Sequence, residues 1–140
     1  MHPLAIDETS SAIEVDPRNL YHPSDIEITP GARYRFAASG KWKDSWITCG
    51  PEGWWGWLLQ KRNRLPGRRV FLLCGVVGKD EKCAFPIGSA CEWSAPPEVA
   101  AWSDRQLYFF ANDWPGKYGN NHPLGPEKGG PLRVVVTRLS

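Results

Sequence analysis

Apolar residues along this chain recur mostly at every second position, the spacing of a half-buried strand. Ile26 and Ile28 alternate with Glu27 and Thr29. After Pro30-Gly31, Ala32, Tyr34, Phe36 and Ala38 alternate with Arg33, Arg35, Ala37 and Ser39, which predicts a hairpin with one wet face. Val70 to Val77 is continuously apolar and predicts a strand buried on both sides. Ala90 to Ala95 alternates through Cys91 and Trp93, and strands are also expected over Gln106 to Ala111 and Leu132 to Val136. Ahead of these, residues 1–11 read as a loose polar leader, Ala12 to Val15 as one short strand, and Asp16-Pro17-Arg18-Asn19 and His22-Pro23-Ser24-Asp25 as turns. Thirteen prolines and fourteen glycines leave no long helical window. The expectation is an all-β chain: a single antiparallel β-sandwich of jelly-roll type over residues 12–140.

Composition narrows the function classes. A length of 140 residues suits one domain, and no stretch is long and apolar enough to span a membrane as a helix. The net charge of +2 is too small to argue for nucleic acid or a membrane surface. Met1 to Leu4 lacks the basic start, apolar middle and cleavage site of a secretory signal, so export by that route is not expected. The four cysteines, Cys49, Cys74, Cys83 and Cys91, lack the paired short spacings of a zinc site and are expected as buried free thiols. No Gly-x-Ser-x-Gly elbow, phosphate-binding glycine loop, His-Glu-x-x-His or EF-hand spacing is present, which argues against an enzyme.

Two central stretches stand out. Trp42, Trp46, Trp54, Trp55 and Trp57 crowd a short segment; core filling is expected of Trp42 and Trp46, and exposure of at least one of the other three. Lys61, Arg62, Arg64, Arg68 and Arg69 follow. Basic residues beside tryptophans can bind phosphates and stack bases, but a solvated loop is the plainer reading.

The most chemically loaded stretch is Asn112-Asp113-Trp114-Pro115-Gly116-Lys117-Tyr118-Gly119-Asn120-Asn121. Calcium takes about six to eight oxygen donors, mostly carboxylate, amide and main-chain oxygens. Asp113 brings charge, Asn120 and Asn121 neutral oxygens, and a turn at Pro115-Gly116 can aim the Lys117 carbonyl inward. Composition alone equally allows a polar loop in which Asn and Asp only cap turns.

This stretch resembles the calcium and sugar loop of the PA-IL type galactophilic lectins, small bacterial β-sandwiches whose loop reads Asn-Asp-x-Pro-Gly-x-Tyr-Gly-Asn-Asn; eight of ten positions agree. Weaker similarity runs through Ser39-Gly40-Lys41-Trp42, Gly50-Pro51, Trp55-Gly56, Phe85-Pro86-Ile87-Gly88 and Trp93-Ser94-Ala95-Pro96, in the family's order. The resemblance implies a galactose-binding-like sandwich and a Ca2+ held by side chains of Asp113, Asn120 and Asn121 and by the Lys117 carbonyl. Sugar hydroxyls would complete the shell, with Asp113, Asn120 and Lys117 also at the sugar and Trp114 and His122 bordering it. A further carbonyl precedes a Gly-Pro pair in the family. Here that is Cys49 before Gly50-Pro51, whereas alignment on Trp42 gives a position near Ser45; the first register also aligns Trp55-Gly56 and is preferred. The family's His-Pro-x-Gln sugar contact is missing, so galactose preference does not carry over. These lectins assemble as tetramers, which allows a homo-oligomer without naming an interface. The implied function is calcium-dependent carbohydrate binding. The rival readings are a structural or adhesion module with a purely structural Ca2+, and an anionic-ligand or nucleic-acid binder built on the Trp- and Arg-rich centre.

Overall fold

Proline and glycine cut the chain into strands of two to seven residues. The computed structural model describes all 140 residues. In chain order the strands are β1 (His2–Pro3), β2 (Ile13–Glu14), β3 (His22–Glu27), β4 (Arg33–Ser39), β5 (Trp42–Asp44), β6 (Ile47–Cys49), β7 (Leu73–Val77), β8 (Phe85–Pro86), β9 (Ala90–Ser94), β10 (Gln106–Ala111), β11 (Asn121–Pro123) and β12 (Arg133–Arg138). They form a sheet β1-β3-β10-β7-β8, a sheet β2-β12-β4-β9 and a small sheet β11-β5-β6. Every pairing is antiparallel except β1 with β3.

The two larger sheets share one core, and the protein is an all-β sandwich. Ile26, Val77, Leu107 and Phe109 from the first sheet belong to the same cluster as Tyr34, Phe36, Val134 and Val136 from the second. Phe36 meets Phe109 edge-on at 6.3 Å across the gap. Within β10, Leu107, Phe109 and Ala111 point into this core, while Tyr108 and Phe110 point outward to a second cluster with Leu72, Cys74 and Val76. Tyr21 and Leu65 cover that outer cluster, and the Arg64 guanidinium lies 3.6 Å from the Phe110 ring centre. Strands covered on both faces are unbroken apolar runs in sequence, as 70–77 and 107–111 are.

Four sequence expectations need correction. His22 to Asp25 is not a turn but the start of β3, paired with β10. Residues 26–38 do not form a hairpin: β3 and β4 belong to different sheets. Ala32 N–H bonds the Thr29 carbonyl at 3.2 Å around Pro30-Gly31, with Gly31 at φ 75°, a type II arrangement that splays two strands instead of pairing them. The first eleven residues are not loose. Leu4 is buried, Asp7 and Ser10 donate to the Arg138 and Val136 carbonyls at 2.7 and 2.8 Å, and β1 extends the first sheet. Trp46 is not core. Only Trp42 of that pair is buried, because Trp46 lies just beyond β5, in the turn before β6, where it is 81% exposed. All four cysteines are free thiols, with Cys74 fully buried and the others partly so.

Candidate functional site

Strand β10 ends at Ala111 and hands the chain to the 112–121 loop at the sandwich edge. Asn112 is fully buried and does structural work: its Oδ1 accepts from Leu65 N–H at 2.8 Å, and its Nδ2 donates to the Leu65 and Arg69 carbonyls, both at 3.1 Å. That amide staples the 57–70 connection to the loop. Tyr118 fixes the middle. Its ring is buried, its hydroxyl donates to the Ala111 carbonyl, and the same oxygen accepts from Arg64 Nη1 at 3.0 Å. Arg64 also forks onto Glu81 at 2.8 and 3.0 Å, donates to the Leu20 carbonyl, and offers its own N–H to the Asp113 carbonyl at 3.2 Å. One member of the basic stretch is thus turned inward to hold the loop rather than solvated.

Asp113, held by this frame, is almost fully buried. Its Oδ1 accepts from Trp114 N–H at 2.8 Å, while its Oδ2 has no hydrogen-bond partner. Asn121, fully buried on β11, donates Nδ2 to the Pro17 carbonyl at 2.8 Å, which leaves its Oδ1 also without a partner. Opposite Asn121 in the strand ladder stands Asp44 of β5, another buried carboxylate, whose Oδ2 accepts from Trp54 Nε1 at 3.3 Å. Asp44, Asp113, Lys117 and Asn120 share a cleft of about 180 Å³ with Trp54, Leu59, Val70 and Trp114. Trp114 forms one wall, its Nε1 donating to the Leu59 carbonyl at 2.8 Å. A larger hollow of about 390 Å³ lies against the N-terminal segment, where Asp25 is exposed and Glu8 accepts from Ala5 N–H.

The electrostatics follow from this packing. Burial pushes the Asp113 carboxyl up to about 6; the Trp114 N–H opposes it, the Asp44 charge adds to it, and the Asn121 amide and Lys117 oppose it. Burial also raises Asp44, partly offset by the Trp54 indole. A buried carboxylate raised by the charge of a second one, with its own Oδ2 and the neighbouring Asn121 Oδ1 both unpartnered, forms a site short of positive charge. The donor set is all oxygen and therefore fits a hard divalent cation. No group of three or more His, Cys, Asp or Glu side chains stands together, so the remaining donors in such a site are amide and main-chain oxygens.

Of the residues singled out in the sequence, Asp113, Lys117, Asn120 and Trp114 line the cleft, with Asn121 beside Asp113. Cys49 is not brought there: it sits on β6, paired with Trp42, with β5 between it and β11. Burial pushes its thiol up to about 12. Ser45, at the alternative register, donates its N–H to the Asn120 carbonyl at 2.9 Å and so stands at the end of the loop. His122 does not line the cleft either. It alternates with Asn121 on β11, faces away from the buried side and is exposed. Asp44 joins the cleft-lining residues as a donor: Trp42 and Asp44, two residues apart on one strand, share its buried face, and that periodicity is the sequence signal for its burial.

No protein-family model matches the chain, and no curated protein does. Among solved structures, a chain described as "EclA N-terminal domain; PllA-like lectin" superposes with a TM-score of 0.63, over 93% of this chain and 97% of that one, at 19% identity. At that identity the similarity establishes the fold alone: a β-sandwich.

Proposed function

We propose that the protein binds carbohydrate through a calcium ion seated in the cleft of Asp44 and Asp113. The side chains of Asp113, Asn120 and Asn121 and the Lys117 carbonyl would hold the ion, and Asp44 would add a second charge, in place of any donation from Cys49. Sugar hydroxyls would complete the shell from the open side, where Lys117 and Asn120 are exposed. Trp114 offers an aromatic wall to the apolar face of a sugar ring. One observation carries this reading: the buried Asp113 Oδ2 and Asn121 Oδ1 lack partners and sit beside a second buried carboxylate. Leaving such oxygens unsatisfied costs about 1–3 kcal/mol each, which a cation would recover.

Calorimetry tests it in two stages. Calcium titrated into chelator-treated protein should give a saturable heat, and sugars from a mixed panel should then bind only in its presence. Calcium heat with no sugar response would reduce the site to a structural cation; no calcium heat at all would overturn the reading.

A further inference from the structure

Beside the cleft the chain leaves an apolar and cationic rim uncovered. Trp55, Trp57 and Leu58 are 63, 72 and 64% exposed, and Leu59, which continues the strip, is also a wall of the cleft. Exposed apolar side chains this close together mark a contact surface. Trp57 has φ 54°, the left-handed region that a bulky residue adopts only when the surroundings impose it. Of the cations at 61–69, which follow this strip in sequence, all but Arg64 lack a carboxylate partner, as does Lys117 in the cleft. Lys61, Arg62, Arg68 and Lys117 form no ion pair, the pairs of the molecule lying elsewhere, and Arg69 reaches only the Gly53 carbonyl. The Arg62 guanidinium lies 5.3 Å from the centre of the Trp114 ring, so it stands at the lip of the cleft.

We propose that this rim is a second subsite and that the ligand is an acidic oligosaccharide. One sugar residue would sit in the cleft, and the next would lie across Leu59 and Trp57 with its carboxylate or sulfate toward Arg62 and Lys117. This rests on the carbohydrate reading above. The rim is continuous with the cleft through Leu59 and Trp114, as a chain of linked sugars requires. Its charge calls for an anion, since Arg62 has no carboxylate partner and Asp44 and Asp113, although the Asp113 charge is felt at Lys117, lie buried in the cleft and pair with neither cation. A planar guanidinium matches a carboxylate or sulfate in two-point contact, and indole rings match the apolar faces of sugar rings. A second copy of this chain docked face to face would set the same unpaired cations against one another, which disfavours self-association through this strip.

Calorimetry in excess calcium, on wild type, Trp57→Ala and Arg62→Glu, tests it with tetragalacturonate, a heparin-derived tetrasaccharide, neutral galactotetraose and the corresponding monosaccharides. The two acidic probes separate carboxylate from sulfate recognition. At least one should bind about tenfold or more tighter than the neutral tetrasaccharide, with an advantage that shrinks as salt rises. Arg62→Glu should abolish the advantage, and Trp57→Ala should weaken tetrasaccharides far more than monosaccharides. Equal binding of acidic and neutral probes, capture by phosphatidylserine vesicles without any glycan, or a dimer dissolved by Trp57→Ala would each overturn the proposal. Calcium-dependent binding of neutral sugars alone would remove the rim and leave the cleft; absence of calcium heat would remove both.

Discussion

Asp113 is where the chemistry and the stability of this protein meet. Its carboxyl, near 6 in the fold against an ordinary 3.8, is held protonated more readily when folded than when unfolded. Its contribution to stability is therefore complete below about pH 4 and lost as pH rises through 6. Calcium-free wild type should accordingly gain melting temperature, relative to Asp113→Asn, as pH falls from 7 to 5. The difference between the two proteins reports Asp113 together with Asp44, whose charge acts on it, while His22, whose pKa burial lowers, titrates in both and cancels. In saturating calcium the trend should reverse, because a proton then competes with the cation for the carboxylate. Absence of both slopes would place the carboxylate in a more solvated setting. Asp113→Asn itself should abolish the calcium heat while leaving the calcium-free protein at least as stable as wild type, since it removes a buried charge without a counterion.

The elements around the loop divide labour between holding and presenting. Asn112→Ala should cost about 3 kcal/mol in urea denaturation, because it breaks three part-buried hydrogen bonds made by a fully buried amide and leaves the backbone groups of Leu65 and Arg69 without those partners. It should also weaken calcium binding, since Asp113 is the next residue. A neutral result would mean the 57–70 connection holds itself in place. The β5–β6 hairpin gives a paired contrast. Trp42→Ala, at a fully buried ring packed on Phe71 at 5.4 Å, should cost about 3–5 kcal/mol. Trp46→Ser, four residues on and in open solvent, should change stability by less than about 0.5 kcal/mol. Similar losses from the two substitutions would mean that Trp46 is packed and the hairpin turned over.

At the scale of the whole molecule, the cleft draws its parts from distant segments: Asp44 from the small sheet, Leu59 and Val70 from the central connection, and Asp113 and Asn120 from the loop after β10. A cation bridging them ties these segments together and should stabilise the fold as a unit. Calcium at a hundredfold excess over its dissociation constant should add about 2.7 kcal/mol, read as a rise in melting temperature that chelator reverses. Magnesium, which demands a tighter octahedral shell and keeps its waters, should stabilise less. Equal stabilisation by both ions would point to loose surface binding.

What the sequence determined by itself was whatever is local. Period-two alternation in 132–136, the doubly buried runs at 70–77 and 107–111, and the oxygen-rich turn at 112–121 are fixed by side-chain type and spacing over a few residues. The tertiary structure decided how those pieces meet. It sent β4 across to the opposite sheet, docked residues 2–3 along β3 and residues 7–10 along β12, turned Arg64 inward against Phe110, and brought Asp44 to Asp113 while Cys49 stayed behind β5. The physical reason is that a turn fixes only the backbone around it, whereas the partner of a strand or a buried carboxylate is set by which distant surfaces exclude water together, and no window of sequence contains both sides of that contact.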